Sequence, residues 1–278
     1  MEKEARKIDW ATMLVPFVIV VALMAVFMIE PEGSKSVVDT LRGFFGDTIG
    51  IYYPLLAIGC VLCTLYLALT PRYGSVKLGN VEKPAYSNFK WGTMIFTSTM
   101  AADIMFYSLI EWALYGGEHH VQDIGGTQMW APTFTLFHWG PLAWGFYVIL
   151  AVCFAFMIHV RRRQRQRFSE ACRPLLGNLV DGFWGKVIDI VAIFAIVCAT
   201  ATTFSLATPL LTNAMGNVFD FEPTTSVTIL VLLLICAVYT ITVLFGITGI
   251  SKLAGICSYL FFAILLYFLF LGGETGYI

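Results

Sequence analysis

Polar side chains arrive in short clusters along this chain, separated by apolar runs near 11–29, 51–70, 91–115, 134–160, 186–211, 224–247 and 253–272. Each run is close to or above the roughly 20 residues that an α-helix needs to cross about 30 Å of hydrocarbon. The pattern predicts seven transmembrane helices and an all-α fold. The first run does not read as a signal peptide, because it is too long and no small-residue cleavage site comes before Glu30 and Glu32. The third run, WGTMIFTSTMAADIMFYSLIEWALY, makes a regular helix of roughly 37 Å, which must tilt, protrude or break. A break at its centre, TSTMAAD, frees backbone carbonyls at mid-membrane beside Asp103.

Within that third run Thr99, Asp103, Tyr107 and Glu111 recur every four residues. At about 100° per residue an i+4 step drifts only about 40°, so the four side chains share one helix face, and that face must turn toward protein or water. An intramembrane carboxylate is expensive and marks a ligand or proton site. For Asp103 that role is favoured. For Glu111, nearer the helix end, reaching the interface is an equal alternative.

With 278 residues, 58% of them hydrophobic and 13% charged, the composition excludes an ordinary soluble domain and a disordered chain. The mean hydropathy is +0.79. Lys and Arg fall on alternate loops: Lys3, Arg6 and Lys7; Arg72, Lys77, Lys83 and Lys90; Arg161 through Arg173 and Lys186; then Lys252. Only Lys35 and Arg42 lie opposite. The positive-inside rule puts the N-terminus in the cytoplasm and residue 278 outside. The RRRQRQR run then reads as a cytoplasmic anchor rather than a nucleic-acid patch.

Cys60 and Cys63 have CxxC spacing, but inside an apolar span with no partner pair they read as packing side chains. No phosphate loop, GxSxG elbow or HExxH helix is present, and neither a metal set nor a cofactor motif accompanies the carboxylates. The chain does not read as an enzyme. An intramembrane enzyme using His138 and Glu111 lacks a nucleophile. A seven-helix photoreceptor needs a mid-helix lysine and the opposite orientation, and Lys252 fits neither.

Two further segments carry candidate chemistry. In FHWGPLAWGFY, residues 137–147, Gly140 and Pro141 disfavour an unbroken helix, so Trp139, Trp144 and Tyr147 flank a bend. They suit either a cation-binding aromatic wall or an interfacial aromatic belt. In CATATTFSLATP, residues 198–209, Thr202, Ser205 and Thr208 suit close helix packing or, less readily, oxygen ligands for a hard cation. Pro209 is expected to stop or kink that helix.

Taken together these residues resemble the betaine/choline/carnitine transporter family over the entire chain. RYGSVKLGNVEKPAYSNFKW at 72–91 resembles the family's loop into the third helix. MFYSLIEW at 105–112 is similar to a family signature, with Ser108 and Trp112 in place of glycine and proline. FHWGPLAWGFY resembles the fourth-helix aromatic segment, and SLATPLLTNAM at 205–215 the fifth-helix segment of carnitine exchangers.

The resemblance implies a bacterial plasma-membrane symporter or exchanger of quaternary-ammonium or zwitterionic solutes, with protons or sodium as coupling ions and a homo-oligomeric, trimeric assembly in the bilayer. A membrane sensor or accessory protein that binds betaines without moving them is the alternative. By resemblance Trp139, Trp144 and Tyr147 match positions that guide or cage trimethylammonium groups, and Tyr107 and Tyr115 match third-helix aromatic positions. Asp103 stands where sodium-coupled members have glycine and proton-coupled choline members an acid. The glycine-rich stretch expected before it is here Thr99-Met100-Ala101-Ala102, a departure from the sodium-coupled pattern. The resemblance also divides the chain at about residue 90. Residues 1–90 hold two peripheral helices and a cytoplasmic loop, and 91–278 the first five-helix repeat of a leucine-transporter-type fold. The second, inverted repeat is expected to lie beyond these residues.

Overall fold

The computed structural model describes residues 9–79, 82–163 and 165–271, without the side chains of 98–106, 108 and 109. The described chain is helical in long pieces joined by short turns. Trp10–Ile29 (α1) leads into Pro31–Gly43 (α2), a π-helical turn and Tyr52–Leu69 (α3), with Pro71–Gly74 (α4) after it. Asn88–Gly116 (α5), His119–Asp123 (α6) and Thr127–Phe137 (α7) follow, then a π-helical turn, Ala143–Ala155 (α8) and another π-helical turn to Val160. Phe168–Ala171 (α9) and Arg173–Leu176 (α10) precede Phe183–Phe219 (α11), Thr225–Leu244 (α12) and Gly246–Leu271 (α13).

Six spans among the described residues are long and apolar enough to cross a membrane: α1, α3, the α7–α8 stretch 127–160, α11, α12 and α13. The predicted run at 91–115 falls within α5. The chain is therefore an all-α, multi-pass membrane protein. Its spanning helices leave most apolar side chains exposed, Met28 and Ile29 at 80% each. In water such a surface is untenable; against lipid tails it costs nothing.

Two elements depart from the pattern-based expectation. The segment PEGSKSVVDTLRG, too polar and short to span, is nonetheless the helix α2, with Pro31 at its first position, where a missing amide costs no hydrogen bond. Pro209 does not stop its helix, the first of its two expected effects, since α11 continues ten residues beyond it to Phe219. A membrane helix tolerates an interior proline because neighbouring polar groups re-satisfy the backbone.

The contacts divide the chain into two units, one from residues 1–81 and 115–200, the other from 82–114 and 201–278. In the first, α3 packs closely against α8. A side chain on Gly145 would begin 2.7 Å from Val61 Cγ2 and 3.2 Å from the Ala57 carbonyl oxygen, with Ala57 itself buried. Small residues here let two backbones approach, which is the main source of helix association in lipid. Gly145→Leu is expected to force the helices apart at a cost of about 1–3 kcal/mol, seen as a lower detergent-solubilised melting temperature.

The loop between α8 and α11 belongs to the same unit and is held by charge. The Arg173 guanidinium spans two carboxylates, donating from Nε and Nη2 to Glu170 at 2.6 and 2.9 Å and from Nη1 and Nη2 to Asp181 at 2.8 and 2.7 Å. Asp189, buried on α11, accepts from the Ser169 amide and hydroxyl, both at 2.9 Å. Arg167 sits 3.1 Å from Asp9, whose carboxylate caps α1 by accepting from the Thr12 amide. The start of α1 and the arginine-rich loop thus meet at one end of the unit, the arrangement expected if both lie on one side of the membrane.

Hydrogen bonds from Arg173 hold both Glu170 and Asp181 below the ordinary carboxylate values of 4.5 and 3.8, and the two acids in turn raise the pKa of Arg173. Because the folded values are depressed, this contribution to stability is complete above those ordinary values. It is lost as pH falls through the depressed ones. Arg173→Gln should leave the buried Glu170 poorly satisfied, cost about 1–3 kcal/mol, and flatten the acid limb of a melting-temperature-against-pH profile.

Candidate functional site

The predicted bend in the fourth apolar run is present. The backbone leaves helical geometry at Gly140, with φ −85° and ψ −138°, and Pro141 follows inside a π-helical turn, His138–Leu142. Pro141 has no amide to donate back along the helix, and a glycine before it removes the side chain that would otherwise crowd the break. Immediately after the break α8 presents Trp144 and Tyr147, three residues apart and so on one face, with ring centroids 5.8 Å apart at 46°. Before it, Trp139 lies against His138 at 4.9 Å and 30°. Tyr147 is 52% exposed and the two tryptophans are half-buried. The three predicted aromatics thus occupy the two arms of one broken helix, and Trp144 and Tyr147 form a ready-made pair of ring faces.

Tyr115 belongs to this same unit. Its ring stacks on Phe134 of α7 at 5.5 Å and 26°, and Phe134 in turn meets Trp130 at 5.9 Å. The turn before α7 orders that cluster. Gly125 and Gly126 both have positive φ, and Trp130 Nε1 donates to the Ile124 carbonyl at 2.8 Å. A side chain at Gly125 would begin 3.0 Å from Trp130 Nε1, so glycine is needed there for both the backbone and the ring.

The α5 stripe lies in the second unit. The backbone is one helix from Asn88 to Gly116, so the expected alternative of a break at TSTMAAD does not occur. The side chains of Thr99 and Asp103 lie outside the described residues. Tyr107 is half-buried, and Glu111 is only 4% exposed, so its carboxylate turns toward protein instead of reaching for the interface. Elsewhere in this unit Phe89 and Phe96 of α5 pack on Tyr259 and Phe261 of α13 at 5.6 and 5.0 Å.

Thr202, Ser205 and Thr208 do not act as one set. Thr202 and Ser205 are exposed, and the Ser205 hydroxyl donates back to the Thr202 carbonyl at 2.8 Å. Thr208 is buried, and the inward row continues through fully buried Thr212, whose hydroxyl donates to the Thr208 carbonyl at 2.8 Å. Among the described residues, Thr208 Oγ1 and Ser258 Oγ are buried without a hydrogen-bond partner. A spacing of three from Thr202 leads past Thr212, whereas the i+4 step from Thr208 reaches it.

The family model described as "BCCT, betaine/carnitine/choline family transporter" matches residues 11–278. The chain is 30% identical over 253 residues to the "Glycine betaine transporter OpuD" of Bacillus subtilis (strain 168), covering 88% of this chain and 48% of that protein. It is 25% identical over 268 residues to the "Glycine betaine transporter" of Acinetobacter baylyi (strain ATCC 33305 / BD413 / ADP1), covering 94% and 40%. It is 27% identical over 257 residues to the "Probable glycine betaine transporter" of Desulfitobacterium hafniense (strain Y51), covering 91% and 51%. The chain spans about half the length of these relatives. With the match running through the helices that carry the aromatic break and the α5 stripe, the chain belongs to the betaine/carnitine/choline transporter family, whose members are transporters and not enzymes.

Proposed function

We propose that these residues form the N-terminal half of a bacterial plasma-membrane secondary transporter for a quaternary-ammonium solute, of which glycine betaine is the first candidate. The observation that carries the reading is the helix broken at Gly140–Pro141 with Trp144 and Tyr147 paired beside it, within a chain that matches the family from residue 11 to residue 278. A trimethylammonium group carries permanent charge and has no proton to donate, so it is recognised by aromatic faces, each desolvated contact contributing about 2 kcal/mol. Trp139, Trp144 and Tyr147 supply these faces, with Tyr115 of the same unit as a further aromatic position, and Tyr107 on the α5 stripe is a separate aromatic candidate.

In this proposal Asp103 and Glu111 serve coupling. A carboxylate on a membrane-embedded helix is expensive unless it serves a proton or a cation, and transport then follows alternating access between 91–278 and an inverted second repeat. Thr208 contributes to packing or an ion site through its buried hydroxyl. Residues 1–90 are the peripheral part, and the assembly is a homo-oligomer. The contact of Asp9 with Arg167 supports a common side for the N-terminus and the arginine-rich loop, which the positive-inside rule makes cytoplasmic. Uptake of labelled glycine betaine, choline and carnitine by cells that lack their own osmolyte carriers and express the full-length protein tests the proposal. Accumulation of at least one of them supports it, and binding without accumulation favours the sensor alternative.

A further inference from the structure

The loop that joins α8 to α11 encloses a cavity of about 370 Å³ lined by Arg162, Arg163, Arg165, Glu170, Arg173 and Asp181. Four guanidiniums against two carboxylates leave two positive charges in excess. The inner part is already satisfied, because Arg173, with its side chain only 14% exposed, spends its donors on Glu170 and Asp181. The outer arginines differ. Arg163 and Arg165 have side chains 52% and 68% exposed and reach the same two acids only at 3.4 Å each. Arg162 has φ 55°, and with it the chain turns off the end of the preceding π-helical turn at Val160. The cavity therefore has a structural floor and a basic rim.

Its position supplies the second observation. The rim starts two residues after a membrane-spanning stretch ends at Val160, and the loop closes two residues before α11 begins at Phe183. The same loop and the start of α11 expose Leu175 at 91%, Leu179 at 58%, Phe183 at 72% and Trp184 at 58%. Apolar and aromatic side chains held outward beside a basic pocket, at the mouth of a spanning helix, are the composition of a surface that sits in the headgroup layer. A soluble anion has no use for them.

We infer that this pocket binds the phosphate headgroup of an anionic membrane phospholipid. Arg162, Arg163 and Arg165 meet the phosphate oxygens through their planar donor forks, while Leu175 and Leu179 enter the acyl boundary. The Glu170–Arg173–Asp181 clamp does not contact the lipid but sets the floor on which the rim stands.

The test uses the full-length protein in nanodiscs, with phosphatidylglycerol titrated into phosphatidylcholine and retained lipids counted by native mass spectrometry. Binding should weaken roughly a hundredfold in R162Q/R163Q/R165Q, about fivefold for each guanidinium removed. Leu175→Asp, at a position too exposed to disturb packing, should also lower phosphatidylglycerol retention without changing the melting temperature. Millimolar inorganic phosphate or glycerol 3-phosphate should not displace the lipid. Wild-type retention in both variants overturns the inference, as does displacement by soluble phosphate as effective as by lipid.

Discussion

Trp144→Ala in the full-length protein is expected to raise the apparent KM for a trimethylammonium substrate by about 30-fold, the equivalent of one desolvated cation–π contact of about 2 kcal/mol. Tyr147→Ala should fall in the same range, and Tyr147→Phe should keep most of the affinity because the ring face, not the hydroxyl, meets the cation. The two rings lie 5.8 Å apart on one face of α8, so their effects should not add: the double alanine variant loses less than the product of the singles. Labelled-substrate uptake over a concentration series measures all four. If the alanine variants lower only the amount of protein in the membrane while KM stays fixed, Trp144 and Tyr147 are an interfacial belt.

The second large effect is expected at Asp103. Asp103→Asn preserves the shape of the side chain and deletes its charge. If the carboxylate carries the coupling proton, the variant's uptake should become independent of external pH. If it instead holds the substrate, cationic choline should weaken far more than zwitterionic glycine betaine, since a fixed negative charge helps the first and opposes the carboxylate of the second. Glu111→Gln serves as the comparison, being a buried acid about two turns along the same stripe. An unchanged pH profile, ion dependence and substrate ranking in Asp103→Asn reduces the residue to a structural hydrogen-bonding role.

The spanning helices were legible because lipid imposes one rule on the sequence, continuous apolar stretches of a fixed minimum length. The Gly140–Pro141 break was legible for an equally local reason, a missing amide. What the residues concealed is which partner each charged side chain takes. Arg173 is three residues from Glu170 and eight from Asp181, inside a run whose overall charge speaks only of membrane sidedness. Asp189 reaches back twenty residues to Ser169, and nothing in either residue announces the other. The helix α2 was hidden by its polar composition, and α11 passes Pro209 because lipid-embedded helices absorb a proline more readily than the isolated propensity suggests. In the hydroxyl-rich segment, residue type shows only that the side chains are polar, and the i+4 geometry of Thr208 and Thr212 chooses the buried face.

The central claim is that aromatic faces on a broken helix recognise a permanent positive charge. It is tested most directly by competing labelled glycine betaine uptake with choline and with 3,3-dimethylbutanol, the neutral carbon isostere of choline. The two competitors share shape and volume, and only one carries the cation. The account predicts that choline competes at least tenfold more strongly, and that the difference collapses in Trp144→Ala. Equal competition by the neutral isostere, or a charge preference that survives in Trp144→Ala and Tyr147→Ala alike, would contradict it.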